Sequence, residues 1–356
     1  MQLGDLGWNA FFDKQFTEYK NQGYTALRII RENREKYIAS CENGEFSAEV
    51  TGKFRFENTG RSQFPAVGDW VAATLLPNEQ KALIHAVLKR KSLFSRKVSG
   101  EITEEQTVAA NIDTIFIITG LDFNYNLRRI ERTLSMAFES GAVPVILLNK
   151  SDLCEQSEVR RLEVESIAPG VDVYALSAFQ SEDLENLRKY LKPGKTVAFL
   201  GSSGVGKSTI INALLGTDKQ KVHTVSESAD RGRHTTTFRE LHFLPDGGMV
   251  IDTPGMRELQ VWGDEEGLEL AFNDIQELSQ NCRFKDCRHD NEPGCAVREA
   301  LLTGSLDEKR YENYLKLKRE FAYLSDRQTM KPNALEKARW KEISIYARQL
   351  KKDKNY

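Results

Sequence analysis

The residues with the clearest chemistry form a glycine-rich loop, GSSGVGKS, from Gly201 to Ser208. This loop matches the pattern G-x-x-x-x-G-K-[ST], in which glycines let consecutive backbone N–H groups turn inward around phosphate oxygens. The apolar stretch from Thr196 to Leu200 predicts a buried strand before the loop, and Thr209 to Leu215 predicts a helix after it. The sequence therefore predicts a site for a nucleotide's phosphates, although the loop alone does not separate ATP from GTP.

Two residues of this loop have individual roles. Lys207 is expected to reach the β- and γ-phosphates and to act in catalysis, and the Ser208 hydroxyl is expected to bind Mg²⁺. The remaining predicted phosphate contacts are Gly201, Ser202, Ser203, Gly204, Val205, Gly206 and Thr209.

The base is decided by a second motif, Asn149-Lys150-Ser151-Asp152, which follows the apolar stretch from Val143 to Leu148. A carboxylate such as Asp152 accepts two hydrogen bonds from the N1–H and 2-amino groups of guanine, and adenine lacks that donor pair. Asn149 is expected to tie this motif to the phosphate loop, and the Lys150 stem to cover the base. Together with Ser151, these residues predict a site that prefers guanine.

A third segment supports the choice of guanine. The strand-like stretch VDVYAL leads into Ser177 and Ala178, and a backbone N–H of one of them is expected to contact guanine O6. The first motif alone is a weak signal, but both together at this distance predict a GTP site.

Two segments downstream carry the other groups that GTP hydrolysis needs. Asp252 opens the motif DTPG and is expected to hold Mg²⁺ through water, while the Gly255 N–H senses the γ-phosphate. Between the loop and this motif lies RGRHTTTF, in which Thr236 is expected to close on Mg²⁺ and the γ-phosphate. By itself this run is typical of a polar surface loop, and its place between the other motifs favours a switch segment.

The order of the motifs is inverted, because the guanine motif precedes the phosphate loop. Two broken GTPases in tandem are an alternative, but the length from Asn111 to Gly255 suits one domain and no second NKxD follows. We therefore predict a circularly permuted GTPase domain. The segment from Met256 to Gly263 then leads out of this domain, which connects the nucleotide state directly to the C-terminal region.

Met256 stands where many small GTPases have a glutamine that orients the attacking water. A thioether cannot do this, so we expect slow intrinsic hydrolysis that needs another group. His234, beside the switch threonines, is the local candidate for positioning water. A surface histidine without a role and an activator from outside the chain are the alternatives.

Three of the five cysteines lie near a histidine in the sequence: Cys282, Cys287, His289 and Cys295. Three thiols and one imidazole suit tetrahedral Zn²⁺, and four protein ligands fill its coordination sphere, so a structural zinc site is expected. A metal is favoured over a disulfide in a reducing cytosol. The spacing departs from the common paired CxxC form, and incidental buried cysteines are the alternative.

The N-terminal region has a different sequence pattern, typical of short strands. Five short strand-like stretches between Tyr24 and Lys89 alternate with turn signals such as Asn43-Gly44, which favours a small barrel of the OB-fold type. Such barrels often bind RNA, although the shape alone decides no function. After the cysteine cluster, helical periodicity dominates, with an amphipathic stretch from Leu306 to Leu324.

Composition and charge limit the class of protein. The chain has 356 residues, 40% hydrophobic and 29% charged, so two or three folded domains are expected. Neither a signal peptide nor a stretch of membrane-spanning length is present, so we expect a cytoplasmic protein without membrane contact. Net charge is −2, yet residues 309–356 carry 14 Lys and Arg against 6 Asp and Glu. This basic end suits either a phosphate backbone or a solvated face.

We therefore predict a multidomain protein with three parts. These are a leader and OB-fold barrel over residues 1–95, a circularly permuted α/β P-loop GTPase domain over 96–263, and a mostly helical zinc-binding domain with a basic tail over 264–356.

This arrangement resembles the small-ribosomal-subunit-dependent GTPases of bacteria, the RsgA family. The resemblance covers nearly the whole chain. Its most specific parts are GRHTTT, DTPGMREL, and the spacing of the four metal-ligand candidates together with the segment PGCAVREA, which contains Cys295. It implies a late factor in small-subunit maturation that binds ribosomal RNA and hydrolyses GTP when the subunit stimulates it. It also implies that His234 takes part in activated hydrolysis. A monomer is expected for a factor that binds a particle.

Two other functions stay open from the sequence. A GTPase acting on another RNA, such as transfer RNA, would respond to that RNA and not to ribosomal subunits. A non-hydrolysing scaffold that holds GTP and binds RNA would show no turnover, and Met256 is the residue that permits this. A P-loop kinase is a more distant alternative, because it would leave the guanine motif without a task.

Overall fold

The computed structural model describes residues 1–33, 36–98, 104–216, 239–252 and 265–329. Several predictions fall outside these described residues: those for His234, Thr236 and Gly255, for the segment 256–263, and for the basic tail beyond residue 329.

The N-terminal part is a closed barrel of five strands, as the sequence predicts. The strands are β1 (Thr25–Asn33), β2 (Lys36–Cys41), β3 (Gly44–Val50), β4 (Trp70–Leu76) and β5 (Lys81–Val87). They follow the order β1-β2-β3-β5-β4, and β4 closes the barrel by pairing with β1, while β3 and β5 run parallel. This is the architecture of an OB-fold. The predicted Asn43-Gly44 turn joins β2 to β3, with Gly44 at φ 111°.

Two helices belong to the barrel. Helix α1 (Ala10–Asn21) begins after Asn9, whose side chain accepts a hydrogen bond from the Phe11 N–H, and α2 (Gly52–Glu57) lies between β3 and β4. Helix α1 buries Phe12 and Phe16 in one cluster with Trp70 of β4. The leader therefore packs against the barrel strands in a cluster separate from the barrel interior.

A hairpin connects the barrel to the central sheet. Its strands, β6 (Leu93–Val98) and β7 (Glu104–Ala110), pair antiparallel. This hairpin spans the position between residues 95 and 96 where the sequence places a domain boundary.

The central part is a six-stranded sheet with helices between its strands. The strands are β8 (Thr114–Gly120), β9 (Val143–Asn149), β10 (Asp172–Leu176), β11 (Thr196–Leu200), β12 (Arg239–Phe243) and β13 (Met249–Asp252). The helices are α3 (Leu127–Glu139), α4 (Ser157–Ile167), α5 (Ser181–Glu185) and α6 (Lys207–Leu215). Strands β8 and β11 are buried along their whole length, which explains their continuous apolar sequences.

The strand order creates a crevice. The order is β10-β9-β8-β11-β13-β12, parallel throughout except for the edge strand β12. The chain first builds outward from β8 to β10 and then returns to β11 on the other side of β8. Because the direction reverses between β8 and β11, ligands are expected beyond the carboxyl ends of these two strands.

The C-terminal part is helical, as predicted. Its helices are α7 (Glu265–Ala271), α8 (Asn273–Gln280), α9 (Ala296–Thr303) and α10 (Glu308–Thr329). Helices α7 and α10 pack on α3 of the central part. The contact is close, because a Cβ on Gly267 would lie 2.5 Å from the Ser135 carbonyl oxygen. Among the described helices, none is both long and apolar enough to span a bilayer.

The barrel and the central sheet are joined by main-chain pairing. Strand β12, the last strand of the central part, pairs antiparallel with β1, with Glu240 opposite Arg31 and Arg239 opposite Glu32. Barrel and sheet therefore form one continuous hydrogen-bonded sheet of eleven strands.

Candidate nucleotide site and metal centre

The phosphate loop lies at the reversal of the sheet. It leaves β11 at Leu200 and enters α6 at Lys207, so strand, loop and helix follow one another as the sequence predicts. Gly206 is the N-cap of α6, with φ 99° and no side-chain cap. Because a helix begins with N–H groups that have no partner inside the helix, this end suits an anion.

Two glycines let the loop lie against its neighbours. A Cβ on Gly201 would lie 2.4 Å from the Ile118 carbonyl oxygen of β8, and one on Gly206 would lie 2.1 Å from Asn149 Nδ2. A side chain at either position would push the loop away from β8 or from the guanine motif. These glycines are therefore needed for the position of the loop as well as for the approach of an anion.

Asn149 joins three loops of the site. Its Nδ2 donates to the Val205 carbonyl oxygen at 2.7 Å, and its Oδ1 accepts from the Ala178 N–H at 3.0 Å. The side chain is buried at the carboxyl end of β9. Thus one amide holds the phosphate loop, the guanine motif and the third predicted segment in a fixed arrangement, including the contact to the phosphate loop expected from the sequence.

Two other residues of the guanine motif, Lys150 and Asp152, differ in their surroundings. Lys150 adopts a left-handed backbone (φ 68°), and its Nζ donates to Asp122 Oδ2 at 2.7 Å. Burial opposes ionisation of Asp122, but hydrogen bonds from Lys150 and Asn124 outweigh it and lower the pKa of this carboxyl. Asp152 is exposed in a single 3₁₀ turn. Its carboxylate is accessible to a base.

The segment after β10 is more constrained than the sequence suggests. The Ser177 N–H donates to Asp183 Oδ2 at 2.7 Å, and the Ala178 N–H is already bonded to Asn149. A contact from either amide to guanine O6 would therefore have to replace or share one of these bonds.

Lys207 lies across the beginning of its own loop. Its Nζ donates to the carbonyl oxygens of Gly201 and Ser202, each at 2.6 Å. Ser208 and Thr209 occupy the first turn of α6 and are half-buried, and Asp252 ends β13, the neighbour of β11. Thr236, Gly255 and His234 are outside the described residues, so the description covers the base and phosphate half of the predicted site.

The four predicted metal ligands lie together: Cys282, Cys287, His289 and Cys295 have their ligand atoms within 4.8 Å of one another. The Sγ atoms of Cys282 and Cys295 are 3.9 Å apart, and His289 Nδ1 lies 3.6 and 3.4 Å from them. Two thiolates on one tetrahedral zinc would be about 3.8 Å apart, because each Zn–S bond is about 2.3 Å. These distances are close to those that a single tetrahedral cation requires.

Local structure holds these ligands in place. Cys295 caps α9, since its Sγ accepts from the Arg298 N–H, and His289 has a left-handed backbone at φ 64°. The Ser279 hydroxyl lies 3.2 Å from His289 Nε2 and orients the ring with Nδ1 toward the cluster. Burial lowers the pKa of His289, which favours the neutral imidazole that a metal requires.

Two residues at the nucleotide site were missed by sequence reasoning. Asp122, the partner of Lys150, lies just beyond the carboxyl end of β8, and Asp183 binds the Ser177 N–H from α5. A signal existed for Asp122, because a polar residue directly after a buried parallel strand lies at the ligand-binding edge. Asp183 had no comparable signal.

Comparisons with known proteins match this description over most of the chain. The family model described as RsgA GTPase matches residues 87–262. A relative from Opitutus terrae, named small ribosomal subunit biogenesis GTPase RsgA, is 45% identical over 352 residues, which are 96% of each chain. A relative with the name small ribosomal subunit biogenesis GTPase RsgA 1, from Listeria innocua, is 42% identical over 344 residues, again 96% of each chain.

The chain belongs to the RsgA GTPase family.

Solved structures agree with this membership. The crystal structure of YjeQ from Thermotoga maritima matches with a TM-score of 0.62 and 29% identity, over 84% of this chain and 99% of that one. YloQ, described as a circularly permuted GTPase, matches in fold with a TM-score of 0.60 and 23% identity, over 84% and 95%. The predicted permuted GTPase, barrel and helical C-terminal region are confirmed, and this RsgA-family protein is a GTP hydrolase.

Proposed function

We propose that this RsgA-family GTPase binds the small ribosomal subunit and its RNA in the cytoplasm and hydrolyses GTP there during late subunit maturation. The observation that carries the proposal is the alignment, over 96% of the chain, with relatives named for small ribosomal subunit biogenesis. Barrel, GTPase part and metal-binding helices are all included in that alignment. A monomer is sufficient for such a role.

The nucleotide would lie across the carboxyl ends of β9, β10 and β11. Asp152 would accept from guanine, Lys150 and Ser151 would line the base, and Ser177 or Ala178 would offer an N–H to O6. The loop from Gly201 to Thr209 would surround the phosphates. What supports this arrangement is Asn149, since its two hydrogen bonds join the loops that a guanine nucleotide would contact.

Hydrolysis would use groups on both sides of the γ-phosphate. Water attacks the phosphorus, the bond to the β–γ bridging oxygen breaks, and GDP and phosphate leave. Bound Mg²⁺ would neutralise charge on the β- and γ-phosphates, with Ser208, Thr236 and Asp252 as the residues that hold it. Lys207 would stabilise the same charge, Gly255 would donate its N–H to the γ-phosphate, and His234 would position the water.

We further infer that the cation of the Cys₃His cluster is Zn²⁺. Thiolate and imidazole donors at tetrahedral spacing favour zinc, and four protein ligands leave no open position, so the ion would be structural. Elemental analysis of purified protein should find about one zinc per chain. In a Cys287→Ser variant the zinc content should fall while the GTPase part still binds GDP; undiminished zinc in that variant would contradict the assignment.

The function is tested by steady-state GTP hydrolysis with purified small subunits, with large subunits as the control. Stimulation by small subunits alone is expected, and His234→Ala should remove the stimulation while leaving GDP affinity unchanged. Stimulation by transfer RNA and not by subunits would favour a different RNA partner. No turnover with any partner would favour a non-hydrolysing scaffold.

A further inference from the structure

Three arginines of helix α3 have unequal partners. Arg128 pairs with Glu131 and Asp307, and Arg132 makes a two-pronged contact with Glu320 of α10. These two arginines attach α3 to the C-terminal helices. Arg129 differs, because its side chain, among the described residues, donates from Nη1 to the Ser202 hydroxyl of the phosphate loop at 3.4 Å.

Two cations converge on the same end of the phosphate loop. Lys207 Nζ bonds the carbonyl oxygens of Gly201 and Ser202, and the Arg129 guanidinium reaches the Ser202 side chain. In the part of the chain that the structure describes, no carboxylate pairs with Arg129. The Arg129 guanidinium adds a positive charge at this end of the loop, which favours the binding of an anion there.

A cavity separates α3 from the loop. Its volume is about 690 Å³, and its lining includes Arg129 and Arg132 from α3 together with Gly201, Ser202 and Ser203. There is consequently room beside Ser202 for the guanidinium to change position. Arginine suits such a role, because its planar donors match phosphate oxygens and its charge persists at any physiological pH.

We propose that Arg129 binds the terminal phosphate of GTP and so distinguishes GTP from GDP. The terminal phosphate is the one concerned, because the P-loop lysine serves the β- and γ-phosphates and Lys207 lies at the same end of the loop as Arg129. This inference rests on the proposed nucleotide site and names one further ligand in it. Since α3 is fixed to α7 and α10, the same contact would report the bound nucleotide to the metal-binding helices.

The test compares two affinities in one variant. For Arg129→Ala, the affinity for a non-hydrolysable GTP analogue should fall about tenfold or more, because a charge-assisted hydrogen bond to phosphate is lost, while GDP affinity changes less than about twofold. Arg129→Lys, which keeps the charge, should recover part of the loss. Titration calorimetry with magnesium present measures the affinity for each of the two ligands.

Arg132→Ala is the matched control, since Arg132 lines the same cavity but is paired with Glu320. It should leave the ratio of the two affinities unchanged. If Arg129→Ala lost equal affinity for the GTP analogue and for GDP, Arg129 would only position the loop. If neither affinity changed, Arg129 would not contact the nucleotide. Either result would overturn the proposal for Arg129 and leave the proposed nucleotide site standing. Failure of the unaltered protein to bind either nucleotide would instead overturn the proposed site.

Discussion

Arg28 and Arg310 are both buried arginines at junctions of the GTPase sheet, but their partners differ. Arg28 lies between the barrel and the sheet, where it donates to the carbonyl oxygens of Leu6 and Asn111 and, at 2.8 Å, to the Thr196 hydroxyl. No carboxylate touches it among the described residues, and its Nε has no partner there. Burial lowers the pKa of Arg28 to about 10, although Asp113 and Asp69 oppose the shift from a distance.

Arg310 belongs to α10 and faces α3 and α8, where two acids contact it. It contacts Asp274 through two nitrogens, at 2.8 and 2.7 Å, and Glu131 at 2.8 Å. Burial acts to lower its pKa, but the hydrogen bonds and charges of Asp274 and Glu131 outweigh burial and raise it. Glu131 itself is fully buried.

The two junctions differ in which groups lose a partner when the arginine is removed. At the metal-binding side a buried carboxylate would lose a partner, whereas at the barrel side only neutral acceptors would lose theirs. Removing a partner from a buried charge costs more than removing one from a carbonyl, even though Arg128 still pairs with Glu131. We therefore expect the junction with the metal-binding helices to depend more strongly on its arginine than the junction with the barrel.

The largest effect is expected for Arg310→Met. Loss of the arginine should destabilise the junction of α3 and α10 by about 3 kcal/mol, because the buried Glu131 loses one of its two arginine partners and keeps only the other, Arg128. Hydrogen exchange of peptides from α3 and α10 measures this as lost protection. Arg132→Met is the control: its pair with Glu320 is one-third exposed on each side, so a loss below about 1 kcal/mol is expected.

Arg28→Met should have a smaller effect, about 1–3 kcal/mol, since the lost hydrogen bonds ended on neutral groups and the methionine keeps much of the packing. Hydrogen exchange of β1 and β11 would follow this junction. A loss as large as that of Arg310→Met would contradict the comparison. Gly7→Ala should disturb the same contacts of Arg28, because the alanine Cβ would lie 2.6 Å from Arg28 Nη1, and the backbone φ of +88° disfavours a side chain.

These junctions are also where the sequence was least informative. Barrel strands, phosphate loop and metal cluster carry local signals, namely alternation, glycine spacing and clustered ligands, so they could be predicted within a few residues. Arg28 and Thr196 are 168 positions apart, and nothing around either residue signals their contact. Pairing of β12 with β1, the packing of the leader on Trp70 and the salt bridges of α3 were missed for the same reason.

The nucleotide site shows the same division. The sequence assigned Asn149 its contact with the phosphate loop, because that contact follows from a motif. It did not find that the Ser177 N–H already donates to Asp183 and the Ala178 N–H to Asn149, since those bonds depend on how close three loops come in the folded chain.

The smallest effect concerns the ion pairs across β1 and β12. Arg239 is mostly buried and donates to Glu32 at 3.0 Å and to the Thr107 carbonyl oxygen at 3.2 Å, whereas Arg31 and Glu240 pair at a more exposed position. A double-mutant cycle with Arg239→Ala and Glu32→Ala should give a coupling energy of about 1 kcal/mol, measured by hydrogen exchange of β1.

The matching cycle with Arg31→Ala and Glu240→Ala should give about half of that or less, because solvent screens the more exposed pair. If the two cycles gave equal coupling, burial would not be what strengthens the inner pair. If the Arg239 cycle exceeded the loss in Arg28→Met, the barrel junction would depend on its ion pairs and not on its buried arginine. The contrast with the α3 junction would then lose its basis, since both junctions would be held by paired charges.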